Sequence, residues 1–315
     1  MKVFVTRQMT AKVEAALAAA FDCTFRRDPA GLTPAEAASA LADYDAVLPT
    51  LGDAFTAEAF AGPVRARLLA NFGVGYNHID VAAARAAGVA VSNTPAPELT
   101  DATADLAMTL LLMTARRAGE GERLLRRGEW TGWQPTQLLG AHVSGKTVSI
   151  IGMGRIGRAV ARRCHYGFGM RVQFFNRSPL ADPGLPAVQI ADLRAAMQAD
   201  FVVIAVPGGA QTRNLIDAVA LAAMPAQACL INISRGDVVD EAALIAALES
   251  GRIAGAGLDV YAREPEVPAA LIAQERATLL PHLGTAAEEV RDAMGLMALD
   301  NLLALAAGHT LPNPV

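Results

Sequence analysis

The chain has 315 residues, enough for about two domains of ~150 residues that each bury a core. It is 53% hydrophobic and 18% charged, which argues against disorder, and much of the apolar share is alanine, so the cores are expected to be helix-rich. The formal net charge is −4 and no stripe of Lys or Arg runs along any segment; this speaks against nucleic-acid binding, which needs clustered cations.

In chain order, Val3–Thr6, Thr24–Arg26, Ala46–Pro49, Leu68–Asn71 and Val89–Ser92 read as short strands, with Ala11–Phe21, Pro34–Ala42 and Val81–Ala87 as helices between them. The opening stretch alternates too regularly, and is too short, for a signal peptide. Strand–helix alternation implies a parallel sheet covered by helices. The prolines of Asn93-Thr94-Pro95-Ala96-Pro97 then suit a hinge. Leu106–Ala115 is the most apolar helical stretch, but its ten residues cannot span a bilayer that needs about 20. Asp101 and Asp105 before it, with Arg116 and Arg117 after it, suit a helix dipole instead. Ala118–Ala141 carries both tryptophans, Trp130 and Trp133, and little regular pattern. A second alternating series follows. Thr147–Ile151, Val172–Asn176, Phe201–Val206, Cys229–Ile233 and Ala256–Val260 read as buried strands, with helices at Arg155–His165, Asp192–Gln198, Gln211–Ala223 and Glu241–Glu249. A last helix is expected over Glu288–Ala307. Cys23, Cys164 and Cys229 form neither metal-ligand spacing nor a disulfide framework, which fits a reducing cytosol. The expectation is a soluble, cytoplasmic α/β protein without a metal centre.

Gly152-Met153-Gly154-Arg155-Ile156-Gly157 follows the apolar run Val148–Ile151 and opens a helix. This is the setting in which G-x-G-x-x-G binds a dinucleotide: Gly152 permits the turn, Gly154 lets backbone approach a pyrophosphate, and Gly157 lets helix and strand pack closely. An NAD site usually carries an acid at the end of the next strand. Here that place, 19 residues past Gly157, holds Asn176, followed by Arg177 and Ser178. An acid would repel a 2′-phosphate, whereas Arg177 can pair with one and Ser178 can add a hydrogen bond, so NADP(H) is preferred and NAD(H) remains possible. A surface arginine beside a permissive NAD site would look the same. Downstream, Arg235, Glu264 and His282 each follow an apolar run, where ligands gather at the carboxyl ends of strands; a lone histidine is equally often an ordinary surface or core residue.

Four ordered stretches carry a resemblance that covers the chain: Gly152–Gly157, Ile231-Asn232-Ile233-Ser234-Arg235-Gly236, Gly257-Leu258-Asp259-Val260 with Glu264-Pro265, and Pro281-His282-Leu283-Gly284-Thr285-Ala286. They resemble the D-isomer-specific 2-hydroxyacid dehydrogenases. Leu99–Leu106, Glu129–Trp133 and Asn176-Arg177-Ser178 resemble the glyoxylate/hydroxypyruvate reductases among them. The resemblance implies that Arg235 binds the substrate carboxylate and carbonyl, that His282 is the acid/base, and that Glu264 bonds its other ring nitrogen. Asp259 would hold the nicotinamide side of the cofactor, with further contacts from Thr103, Arg155, Ile156, Val206, Pro207, Ile233 and Gly284. Asn71–Tyr76 matches the substrate loop, whose N–H groups at Val74 and Gly75 meet the carboxylate. Leu51 and Trp133 would shape the substrate pocket, Trp133 reaching it from the partner of a homodimer; an ordinary core aromatic is the plainer reading of Trp133. Pro207–Ala210 departs from the family pattern, where a bulkier loop is usual.

The expected architecture is two doubly wound parallel-sheet domains. A flavodoxin-like substrate domain would take residues 1–98, with 288–315 returning to it, and a Rossmann cofactor domain residues 99–287; the active site is expected in a cleft between them. The expected activity is NADPH-preferring reduction of glyoxylate, hydroxypyruvate or a similar small 2-oxo acid. The rivals are a dehydrogenase of 2-ketogluconate, D-lactate or phosphoglycerate type, and a nucleotide-sensing protein-binding module on the same fold. The chain ends at Val315, without the regulatory extension of many phosphoglycerate enzymes.

Overall fold

Val3 and Val5 are fully buried on the first strand, β1 (Lys2–Val5), and the chain then alternates helix and strand through α1 (Ala11–Ala20), β2 (Asp22–Phe25), α2 (Pro34–Asp43), β3 (Ala46–Leu48), β4 (Leu68–Ala70), α3 (Val81–Ala86) and β5 (Ala90–Ser92). The computed structural model describes all 315 residues. These strands form one parallel sheet in the order β2-β1-β3-β4-β5. Every residue of β3 and β4 is buried, as strands covered on both faces must be. Helix starts follow local chemistry: Thr33 and Glu36 form a reciprocal capping box before α2, and Pro34 sits where its missing N–H costs nothing.

The second sheet is built from β6 (Thr147–Ile151), β7 (Arg171–Phe175), β8 (Val188–Gln189), β9 (Phe201–Ile204), β10 (Cys229–Asn232), β11 (Gly255–Leu258) and β12 (Ala277–Leu279), all parallel, in the order β12-β11-β10-β9-β6-β7-β8. Its direction reverses between β6 and β9, the switch point at which doubly wound sheets take ligands. Before this sheet come α4 (Pro97–Ala115) and α5 (Ala118–Arg126); within it lie α6 (Arg155–Arg162), α7 (Leu193–Ala196), α8 (Ala218–Ala223), α9 (Glu241–Glu249) and α10 (Ala269–Ile272). The last helix, α11 (Glu288–Ala307), packs on α1, where Thr10 Oγ1 donates to Asp292 at 2.5 Å. The chain divides into two units, Met1–Leu99 with Thr285–Val315, and Thr100–Gly284. Both are α/β with parallel sheets. No helix is long and apolar enough to cross a membrane.

Four local expectations need correction. The segment 118–141 is not wholly irregular, because α5 occupies its first nine residues. None of them is buried, so no apolar stripe betrays the helix; Glu122–Arg126 and Arg117–Glu120 ion pairs support it instead. The helix expected over Gln211–Ala223 begins only at Ala218, where Asp217 caps it by accepting from Ala220 N at 2.8 Å, and Asn214 upstream is left-handed. The helix expected over Arg155–His165 ends as α at Arg162 and continues as a π turn, Arg163–Gly167. The helix expected over Asp192–Gln198 keeps only Leu193–Ala196, with Asp192 as its cap.

Candidate active site

The glycine loop sits at the carboxyl end of β6 and leads straight into α6. Two of its glycines are needed by the protein itself. Gly152 has φ +102°, and a Cβ there would lie 2.8 Å from the Ala205–Val206 backbone; at Gly157 a Cβ would lie 2.1 Å from the Gly152 carbonyl. Gly154 is different: the direction of its Cβ is open, with no atom within 4 Å. Internal packing thus gives no reason for glycine at this position, while close approach of a ligand to the backbone does. The first N–H groups of α6, at Arg155 and Ile156, face the same end. The residues present fit a dinucleotide pyrophosphate.

Asn176 directly follows β7 beside this loop, and its Oδ1 accepts from Met153 N at 2.7 Å. The side chain at the acidic position is therefore a neutral amide anchored on the glycine loop. Arg177 is exposed and donates to Gln211 Oε1; Ser178 is exposed. Val206 and Pro207 follow β9, and Ser234 Oγ donates to the Val206 carbonyl. Thr103 is buried in α4 beside Gly284, and Ile233 is buried after β10.

Three neighbouring strands deliver the titratable groups. After β10, Asn232 folds back on the chain: its Oδ1 accepts from Ser234 N and its Nδ2 donates to the Arg235 carbonyl, both at 3.0 Å. Arg235 Nη1 bonds the Ser234 carbonyl at 2.7 Å, while its Nε is buried with no partner. Burial pulls the guanidinium below its ordinary pKa, against the opposing charges of Glu264 and Asp237. Next to it, Gly236 allows an unusually close approach, for a Cβ there would stand 1.8 Å from the Tyr261 carbonyl carbon. The turn carrying Arg235 and the loop after β11 are therefore packed backbone to backbone.

That loop holds Asp259 and Glu264. Asp259 is buried and accepts from Leu283 N at 2.6 Å and Gly284 N at 2.9 Å, and its carbonyl accepts from His282 N at 3.0 Å. Burial raises its pKa, and the two amides and His282 oppose that rise. Glu264 Oε2 meets His282 Nδ1 at 2.8 Å, while Oε1 accepts from Tyr261 N at 3.0 Å. Burial pushes Glu264 upward, but the bond and charge of His282, the Tyr261 amide and the charge of Arg235 outweigh it and hold the carboxyl below its usual range. With Nδ1 engaged by a carboxylate, Nε2 is the ring atom left to exchange a proton. His282 follows β12 in the left-handed region, φ +55°. Tyr261 had no sequence signal. Its N–H holds Glu264, and its hydroxyl donates to the carbonyl of Leu280, two residues before His282, at 2.9 Å.

The other unit carries the glycine loop Asn71–Tyr76 at the carboxyl end of β4, with Val74 and Gly75 half-buried, and Leu51, also half-buried, beyond β3. Trp133 is 80% exposed and Trp130 52%, so neither is a core aromatic within this chain.

Residues 108–284 match the family described as D-isomer specific 2-hydroxyacid dehydrogenase, NAD binding domain. Among curated proteins, the glyoxylate reductase of Thermococcus kodakarensis is 44% identical over 87% of this chain and 83% of its own length. The glyoxylate reductase of Pyrococcus furiosus is 38% identical over 100% of this chain and 95% of its own. Among solved structures, an NADPH-dependent glyoxylate/hydroxypyruvate reductase from Sinorhizobium meliloti, in complex with NADP and malonate, superposes with a TM-score of 0.88 at 34% identity, covering 100% of this chain and 96% of the other.

Proposed function

The chain belongs to the D-isomer specific 2-hydroxyacid dehydrogenases, and from that premise we propose that it reduces glyoxylate, hydroxypyruvate or a similar small 2-oxo acid to the D-2-hydroxy acid, preferring NADPH. The observation that carries this reading is the 2.8 Å His282–Glu264 pair, formed by the loops that follow β12 and β11, with β10, whose turn bears Arg235, the next strand in the sheet. The named activities of the relatives support the substrate class.

A reduced nicotinamide, when bound, supplies the hydride. The glycine loop and the start of α6 would hold its pyrophosphate, Asn176, Arg177 and Ser178 would meet the adenosine ribose and a 2′-phosphate, and Asp259 with Thr103 and Gly284 would line the nicotinamide side. As the substrate's C2 takes up hydride, charge collects on the carbonyl oxygen. The fixed guanidinium of Arg235 stabilises that charge where it develops. His282 Nε2 delivers a proton to the same oxygen, and Glu264 stabilises the imidazolium before transfer and fixes the ring's orientation. By the same reading, the N–H groups of Val74 and Gly75 bind the substrate carboxylate, and Leu51 is a substrate-binding residue. Trp133 completes the pocket of the partner in a homodimer; its exposure supports that role. Three free, well-separated cysteines support a reducing, cytoplasmic setting.

A substrate panel tests the reading: glyoxylate, hydroxypyruvate, 2-ketogluconate, pyruvate and phosphohydroxypyruvate, each with NADPH and with NADH. Glyoxylate or hydroxypyruvate with NADPH should give the highest kcat/KM. Failure of every 2-oxo acid to drive NADPH oxidation would leave only a binding role.

A further inference from the structure

The loop Asn71–Tyr76 is held by side chains that a glycine turn does not require. Asn71 is fully buried, and its Nδ2 donates to the Gly73 carbonyl at 3.0 Å and to the Gly75 carbonyl at 3.1 Å. Asn93, at the end of β5, donates from Nδ2 to the Val74 carbonyl at 3.0 Å. Thr94 adds two bonds to Gly73, its N–H to the carbonyl at 3.1 Å and its Oγ1 accepting from the amide at 2.9 Å. All three successive carbonyls are thus captured from inside the same unit. The amides of Val74 and Gly75 donate to nothing in the protein.

Peptide planarity turns these facts into a mechanism. The C=O and N–H of one trans peptide point in opposite directions. The Val74 N–H shares its peptide with the Gly73 carbonyl, and the Gly75 N–H shares its peptide with the Val74 carbonyl. Fixing the two carbonyls therefore fixes the two N–H groups, aimed the other way. Consecutive N–H groups presented together form an anion-binding concavity. Asn71 reaches two carbonyls at once, which only its NH2 end can do, so its Oδ1 must face elsewhere; it is buried there without a donor.

We propose that Asn71 and Asn93 are positioning residues for substrate: by capturing the carbonyls of Gly73, Val74 and Gly75, they hold the N–H groups of Val74 and Gly75 ready for the substrate carboxylate before it arrives. Asn71 sets the Val74 amide and Asn93 the Gly75 amide. This inference rests on the reading that the loop binds the carboxylate, and the two can fail separately.

The test uses the full chain loaded with NADPH and labelled with 15N at valine and glycine. Oxalate, a small dicarboxylate, is the probe. In the unaltered protein, oxalate should shift the Val74 and Gly75 amide resonances. Asn93→Ala, with loss of a single neutral hydrogen bond, should weaken oxalate by about 5- to 10-fold and leave NADPH affinity within about 2-fold. Asn71→Ala should weaken it more; should that buried variant fail to fold, the half-buried Asn93 carries the test alone. Amides unmoved by oxalate in the unaltered protein would sink the carboxylate reading, and this inference with it. Amides that shift, with an Asn93→Ala variant binding oxalate normally, would overturn the inference and leave the reading standing. A parallel loss of oxalate affinity, NADPH affinity and thermal stability would mark the asparagines as merely structural and overturn it too.

Discussion

His282 and Glu264 lie 18 residues apart on loops that follow adjacent strands, and they meet through Nδ1 and Oε2 at 2.8 Å. The carboxylate is not free to follow the ring, because its second oxygen is tied to Tyr261 N. The side chains are only 30% and 28% exposed, so the pair is partly shielded from solvent screening. Its charge state should therefore be felt both in turnover and in stability.

Turnover first. A neighbouring carboxylate favours the protonated, cationic form of an imidazole. In the proposed reaction the ring gives up a proton, and Glu264→Gln takes away the carboxylate that orients the ring and stabilises its cationic form, so kcat for reduction should fall by at least ~10-fold, about 1.4 kcal/mol. An unchanged kcat in a stably folded Gln variant would refute the dyad.

Stability follows from the lowered carboxyl of Glu264. A group whose folded pKa is depressed contributes stability above its unfolded value, about 4.3 for glutamate, and loses that contribution as pH falls through the folded value. The Tm gap between native protein and Glu264→Gln should be widest above pH ~5 and close as pH falls through and below ~4. A gap that stays constant down to acid unfolding would contradict the assignment.

Arg235 should act on both kinetic constants. If it only bound the carboxylate, equally in ground and transition states, its loss would raise KM and spare kcat. Charge on the carbonyl oxygen exists only as hydride arrives, so part of the interaction belongs to the transition state. Arg235→Lys keeps the charge without the planar fork. It should raise KM and lower kcat by at least ~10-fold, about 1.4 kcal/mol, with Arg235→Ala worse on both counts. A stably folded Lys variant with unchanged kcat would end the catalytic claim.

Cofactor preference is read from Arg177. A bidentate contact to a 2′-phosphate is worth roughly 1.5–3 kcal/mol, or about 10- to 150-fold. Arg177→Ala should lower kcat/KM for NADPH by that factor and leave NADH nearly unaffected. Equal use of both cofactors by the native enzyme would dispose of the preference.

The exposed arm around Trp130 and Trp133 predicts association. Sedimentation at micromolar concentration should give twice the 32.8 kDa chain mass, and Trp133→Ala should impair turnover without weakening NADPH binding. An active monomer would remove Trp133 from any neighbouring site.

Much of this fold is written locally. Glu241–Glu249 and Glu288–Ala307 are found where the pattern puts them, since Asp240 caps the first and a left-handed Gly308 ends the second. The buried strands β6 and β10 read as apolar runs because both faces are covered. What escaped lacks such a signature. The helix α5 buries nothing, and β8 has two residues. At the site, Arg235, Glu264 and His282 stand out because polar residues after apolar strands are conspicuous and match family motifs. Tyr261, Asn71 and Asn232 do not, since most of their partners are backbone N–H and carbonyl groups, which every residue possesses and no pattern distinguishes.

The left-handed backbone of His282 governs how the enzyme can be silenced. Asparagine tolerates φ near +55° far better than alanine, valine or isoleucine, whose Cβ atoms crowd the neighbouring carbonyl. His282→Asn would remove the proposed proton donor while leaving the chain's path at the end of β12, and with it the Leu283 and Gly284 amides that grip Asp259, undisturbed. A branched replacement would also pull on that carboxylate and blur loss of chemistry with loss of cofactor. For trapping a substrate complex with reduced nicotinamide in place, the backbone therefore selects asparagine as the inert substitute.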